Sequence, residues 1–197
     1  MDQLVIASRN VGKIKEFRDL LLPLRNEILS LADLSIEAEF EESGKTFAEN
    51  AHLKALSYSQ LTRFPVLADD SGLEVDALGG KPGIHSARYA GPGASDADRV
   101  RKLLRELQNS GGSREARFVC CLALAEKGVL LLQAEGDCRG TIAQEPRGTN
   151  GFGYDPVFYF PQLGKTYAEL SDTEKNQHSH RARAVAFLIR QIVNRQS

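Results

Sequence analysis

The sequence is short of positive charge, of cysteine and of long apolar runs. Across 197 residues, 25 Lys and Arg stand against 26 Asp and Glu, a formal net charge of -1. Non-specific binding to a polyanion rests on a strong positive excess, so a general nucleic-acid binder is excluded. A small phosphorylated ligand, which needs only a few placed lysines, is not. Three cysteines, Cys120, Cys121 and Cys138, form no C-x-x-C pair, and two of them are chain neighbours. That pattern is a poor disulfide or zinc framework and fits buried thiols in a reducing compartment. No third His or Cys supports His178 and His180 at a zinc spacing. No apolar run spans a bilayer, and the opening "MDQLVIAS" turns polar too soon for a signal peptide. Repeats, low-complexity tracts and flexible linkers are also missing. What remains is the composition of a cytoplasmic globular protein, 42% apolar and 26% charged, long enough for one domain or two closely packed lobes.

The elements alternate. Leu4 to Ala7 is a short apolar strand, and Asn10 precedes a helical period of Val11, Ile14, Phe17, Leu20 and Leu21 that Pro23 stops. Thr46 with Glu49 makes a capping box, predicting a helix from about Phe47 to Leu61. Val66 to Ala68 is a second strand, ending at Asp69 and Asp70. Residues 79–93 are dense in Gly and Pro and read as a long ordered loop. Ser95 caps a helix with Val100, Leu103, Leu104 and Leu107 on one face. Two long strands then flank Lys127-Gly128 as a hairpin. An irregular segment leads to a strand at Val157–Phe160, and a last helix starts near Ser179. The expected class is α/β, with a mixed sheet that includes antiparallel hairpins.

Several segments carry chemistry. "SRNVGK", Ser8 to Lys13, joins a strand to a helix, where free N–H groups and the positive end of the helix dipole suit phosphate, and Lys13 adds a charge one turn in. It lacks the glycines of a Walker A loop, and Asn10 also works as a simple cap. Glu39, Glu41 and Glu42 precede a helix start, either as solvated loop or as oxygen ligands for a hard divalent cation. Asn50 and Lys54 share a helix face. Successive strand side chains point to opposite faces, so Asp69 and Asp70 are expected to be unequal, one toward a metal and one toward neighbouring donors. Gly72 lets the backbone bend and Ser71 offers a hydroxyl. In "GTNGFGYDP", Phe152 and Tyr154 sit between glycines with Asp155 next, a loop that can present a ring face and a carboxylate to a base. "EKNQHSHRAR" gathers Lys175, His178, His180 and Arg181.

Taken in order, "SRNVGK", "EESGKTFAENAHLKA", "ADDSGLEVDALGGKPGIHSARYAG", "GFGYDPVF" and "EKNQHSHRARA" resemble the non-canonical purine nucleoside triphosphate pyrophosphatases, the inosine triphosphatase-like or Ham1-like family, over nearly the whole chain. The length and the "ADDSGL…PGIHSARYAG" block look like its bacterial dITP/XTP branch. The resemblance implies one ITPase-like domain over residues 1–197, with two lobes flanking a deep substrate cleft, and a homodimer. It also implies Mg²⁺-dependent hydrolysis of XTP, ITP and dITP to monophosphate and pyrophosphate, with neither nucleic acid nor membrane as partner. Carried over, Ser8, Arg9, Asn10, Val11, Gly12, Lys13 and Lys54 hold the triphosphate. Glu41 and Asp70 hold the metal, and Asp70 is the catalytic base. Ser71 touches substrate, and Phe152, Gly153, Tyr154, Asp155, Lys175, His180 and Arg181 frame the base. Glu42 competes with Glu41 for the metal, as Asp69 does with Asp70. The family often reads Thr-Gly-Asn where this chain has Ser8-Arg9-Asn10, so Arg9 lacks a glycine's freedom. Other modified nucleotides as substrates, or binding without turnover, are the competing readings.

Overall fold

The computed structural model describes residues 3–196. Seven strands form one sheet in the order β2-β1-β3-β4-β5-β6-β7. β1 (Gln3–Ala7) runs parallel to both β2 (Glu27–Ser30) and β3 (Val66–Val75). β4 (Glu115–Glu126) and β5 (Val129–Ile142) are the expected hairpin. Lys127 and Gly128 both have positive φ, 50° and 75°, the turn type whose twist matches that of paired strands. β6 (Phe158–Phe160) and β7 (Lys165–Thr166) close the antiparallel side. The α-helices among the described residues are α1 (Val11–Leu20), α2 (Phe47–Ser59), α3 (Asp96–Ser110), α4 (Asp172–His178) and α5 (His180–Gln196).

Three sequence expectations change. β3 does not stop at the aspartates but continues through them to Val75. Leu73 and Val75 are fully buried, so the apolar pattern beyond the acids drives the strand onward. The last helix begins at His180, as expected, but a further short helix, α4, precedes it and ends at Ser179, whose ψ of 158° is extended; Ser171 and Glu174 supply α4 with its own capping box. β2, with only Ile28 and Leu29 as apolar residues, escaped notice because a short parallel edge strand leaves almost no periodic signal.

The chain divides into two compact units. The first takes the residues up to Asp70, Cys120–Gly136 and those from His180 on; the second takes Ser71–Val119 and Asp137–Ser179. The core of the first is aliphatic, with Leu4, Ile6, Leu67, Leu122 and Leu124 of the sheet against Phe17 and Leu21 near α1 and Leu188 of α5. In the second, Leu103 and Leu107 of α3 and Leu73 and Val75 of β3 join a ring cluster of Phe118, Phe158, Phe160 and Tyr167. The Phe158 and Tyr167 rings meet edge to face at 4.8 Å, a favoured aromatic geometry. All three cysteines are buried and unbridged.

Candidate active site

In the first unit, charged side chains from four elements converge on β3. Asp69 and Asp70 take different partners, as strand alternation requires. Asp69 Oδ2 accepts from Lys13 Nζ at 2.5 Å, and Asp69 Oδ1 accepts from the Cys120 thiol at 3.1 Å and lies 3.9 Å from Arg181 Nε. Asp70 Oδ2 accepts from Asn50 Nδ2 at 3.0 Å, and its Oδ1 lies 3.8 Å from Lys54 Nζ. Lys54 also donates to Glu42 Oε1 at 2.8 Å and to the Asp69 carbonyl at 2.6 Å.

Local structure explains each placement. Asn10 caps α1 by accepting the Lys13 N–H at 3.0 Å, and its own N–H donates to Ser8 Oγ at 3.2 Å. This turn delivers Lys13, the third residue of α1, to Asp69. Glu16, one turn further along α1, pairs with Arg181. α5 brings Arg181 in because Gly136 of β5 has no side chain: a Cβ there would stand 2.4 Å from the Ala184 nitrogen. Asn50 is fully buried in α2 and accepts the Gly44 N–H at 2.8 Å, so one amide bridges the approach to α2 and the Asp70 carboxylate.

The two acids differ in charge state as well. Burial would raise the Asp69 carboxyl, but Lys13 first, then Arg181 and Lys54, overcome it and hold Asp69 far below the usual carboxylate range. Asp69 is thus a fixed anion. At Asp70 burial is the largest influence and prevails; Lys54 opposes it, Glu42 adds to it, and the carboxyl is pushed up to about 6. Burial would lower Lys54, and Asp70, Glu42 and Asp69 together reverse that and raise it. The Cys120 thiol is held well above its ordinary value by burial and by the Asp69 charge, so it stays a protonated donor.

Hard oxygen donors are present here, but among the described residues no three His, Cys, Asp or Glu side chains gather tightly enough to hold a metal unaided. Mg²⁺ does not need that, because it takes one or two protein carboxylates with waters and substrate phosphates. Asp70, raised first by burial and then by the Glu42 charge, fits such an ion, and Glu42 shares Lys54 with it. Glu41 is exposed.

Arg9 takes a different place from its chain neighbours. Its backbone is not in the left-handed region, so no glycine is required at this position. Its guanidinium donates to the Ile36 and Ala38 carbonyls at 3.1 and 3.2 Å, and the Tyr58 hydroxyl donates to the same Ala38 carbonyl at 3.0 Å. Phe40 packs edge-on against Tyr58 at 4.9 Å. These contacts hold the irregular segment that carries Glu41 and Glu42.

The second unit contains the other cluster. Lys175, 4% exposed, donates to Asp155 Oδ2 at 2.5 Å and stands 4.9 Å from the centre of the Phe152 ring. Asp155 Oδ2 also accepts the Phe152 N–H at 2.9 Å, and the Tyr154 hydroxyl donates to the Ser86 carbonyl at 2.9 Å. Gly151, with φ of 74°, lies against Asp155, where any Cβ would meet Oδ2 at 2.1 Å. Ser71 is half-buried beside Asp70, and Val11 is exposed.

The structure therefore gathers Lys13, Lys54, Asp69, Asp70 and Arg181 in one unit, and Phe152, Gly153, Tyr154, Asp155 and Lys175 in the other. Buried His180 and Arg181 belong to the first unit, where Arg181 lies 3.9 Å from Asp69. Sequence reasoning missed Glu16, Cys120 and Ser86 as parts of these clusters. Glu16 was open to discovery three residues after Lys13 on one helix face; the others depend on contacts distant in sequence.

Comparison with known proteins agrees. A family model described as "Ham1 family" matches residues 4–191. A protein of Geobacillus kaustophilus named dITP/XTP pyrophosphatase is 53% identical over 189 residues, 95% of this chain and 93% of that one. A Bacillus subtilis protein of the same name is 46% identical over 186 residues, 94% of each. The solved structure of a HAM1 protein from Coxiella burnetii superposes with a TM-score of 0.89 at 42% identity, covering 98% of this chain and 100% of that one. With the motifs in order, the matched fold and this extent of identity, the chain belongs to the Ham1 family.

Proposed function

We propose that the chain is a nucleoside triphosphate pyrophosphohydrolase that removes non-canonical purine nucleotides, XTP, ITP and dITP, from the nucleotide pool, releasing the monophosphate and pyrophosphate. The observation that carries the chemistry is the inequality of two adjacent aspartates. Asp69 is locked as an anion among cations, while Asp70 has a carboxyl poised near neutrality, the range a general base needs. The names of the relatives carry the substrate class.

In this reading Ser8 to Lys13, at the N-terminus of α1, and Lys54 take the triphosphate, replacing hydration with N–H groups and fixed charge. Asp70 orients a water and accepts its proton as the water oxygen bonds to the α-phosphorus. The bond from that phosphorus to the bridging oxygen breaks, and pyrophosphate leaves. Asp70 with Glu42 or Glu41 would hold Mg²⁺, which would supply charge neutralisation at the phosphate oxygens. Asp69 positions Lys13. Ser71 is assigned to substrate, and Phe152–Asp155, Lys175, His180 and Arg181 to the base; Arg181 is also engaged with Glu16 and Asp69. A 6-oxo purine accepts hydrogen bonds where adenine would leave a buried donor unpaired, which rejects ATP. A cytoplasmic homodimer belongs to the same reading on the family resemblance alone.

The test is pyrophosphate release from dITP, ITP and XTP against dATP and dGTP, with Mg²⁺ and with chelator. Release from the deaminated substrates only when Mg²⁺ is present is expected; no release from any of the three removes the enzymatic reading.

A further inference from the structure

The loop Gly151–Asp155 is short and rich in glycine, yet three separate elements hold it. Asp155 and Lys175 fix it from within, and Tyr154 ties it to Ser86. The third attachment comes from α3, 57 residues away in sequence: the Gly153 N–H donates to Asp96 Oδ2 at 2.7 Å. The other oxygen of the same carboxylate pairs with Arg99, one turn along the helix. Arg99 in turn donates to the Ala87 carbonyl at 3.0 Å and to the Ala94 carbonyl at 2.6 Å. Both carbonyls end the stretch rich in Gly and Pro that follows β3.

Asp96 is not needed to start its helix. Ser95 accepts the Asp98 N–H and Asp98 accepts back from Ser95, a complete capping box without Asp96. Its carboxylate is left for the loop. Gly153, with φ of 64° and no atom within 4 Å of where a Cβ would stand, gains no definition from packing. A charge-assisted bond to its N–H is therefore the attachment that reaches the backbone between Phe152 and Tyr154 from outside the loop.

We propose that Asp96 is a positioning residue for substrate recognition: through Gly153 it fixes how Phe152 and Asp155 are presented, and through Arg99 it couples that loop to the segment 87–94. The proposal rests on the reading of residues 152–155 as the part that frames the base. Without the carboxylate, Gly153 recovers a glycine's freedom, and the ring face and acid beside it lose their fixed spacing. Base discrimination then weakens while the phosphate chemistry, which uses residues of the other unit, proceeds.

The experiment is steady-state kinetics of Asp96→Ala and Asp96→Asn with dITP and dGTP, folding being checked by thermal melting. Asp96→Ala is expected to raise KM for dITP about tenfold, to narrow the dITP to dGTP preference in kcat/KM by a similar factor, and to leave kcat within about twofold. Asp96→Asn, whose amide oxygen still accepts from Gly153, recovers most of the preference. Should the alanine variant not fold, Asp96→Ser, too short to reach Gly153, carries the same expectation. An unchanged preference, or an equal loss of kcat on both substrates, overturns the proposal. Lys175→Met separates the two layers: if it leaves the preference intact, the base-framing reading itself fails. If it abolishes the preference while Asp96→Ala does not, only the positioning role falls.

Discussion

Replacing Asp70 with asparagine should make the protein more stable at alkaline pH, although it removes the proposed base. The carboxyl of Asp70 is raised from 3.8 to about 6, with burial the largest cause. A raised folded-state pKa means that the native protein binds this proton more tightly than the unfolded chain does. Stability from that preference is complete below pH 3.8 and is lost as pH climbs through 6. A shift of about 2 units corresponds to ~3 kcal/mol. Asparagine has the same shape and no charge to bury, and Lys54 keeps Glu42 and the Asp69 carbonyl as partners. In chelator, the melting temperature of Asp70→Asn relative to wild type should therefore rise by roughly 6–12 °C between pH 4 and pH 8, at about 2–4 °C per kcal/mol for a chain of this size. Saturating Mg²⁺ should return stability to the wild type alone and shrink the gap. A difference that does not vary with pH, or one that moves the other way, would refute the account of Asp70 as an undercompensated buried acid. The same variant should have lost pyrophosphate release by orders of magnitude.

Lys13→Met should lower stability at pH 7 by roughly 3 kcal/mol in chemical denaturation, the low end for breaking a buried pair, since Arg181 remains 3.9 Å from the Asp69 carboxylate. Gly151→Ala places a methyl group against Asp155 at a positive φ and should cost about 1–3 kcal/mol. Its kinetic effect should appear in KM for dITP more than in kcat, read in the pyrophosphate-release assay.

Much of this was legible in the sequence, for identifiable reasons. Apolar periodicity and caps gave α1, α2, α3 and the long hairpin, because those signals are local. Strand alternation separated Asp69 from Asp70 before any coordinate did. The limits are just as specific. Nothing local distinguishes Glu42 from Glu41; the difference lies in Lys54, twelve residues away from Glu42, reaching it at 2.8 Å. β3 looked finished at its charges because a sequence pattern cannot show that Lys13, Arg181 and Cys120 stabilise Asp69 inside the sheet. Asp96 passed for one more acid in the first turn of a helix, where acids are ordinary.

The segment held by Arg9 and Tyr58 has a consequence for heat. It has almost no ladder hydrogen bonds, and its anchors are single side-chain contacts: a half-exposed guanidinium, an edge-on ring pair, one phenol, and the bonds from Lys54 to Glu42 and from Gly44 to Asn50. Such a segment opens at a free-energy cost far below that of unfolding the two cores. The glutamates it carries therefore leave their places at temperatures where the sheet is still intact. On the proposed reading of those glutamates, activity and fold should have separate thermal limits, with Arg9 helping to set the lower one.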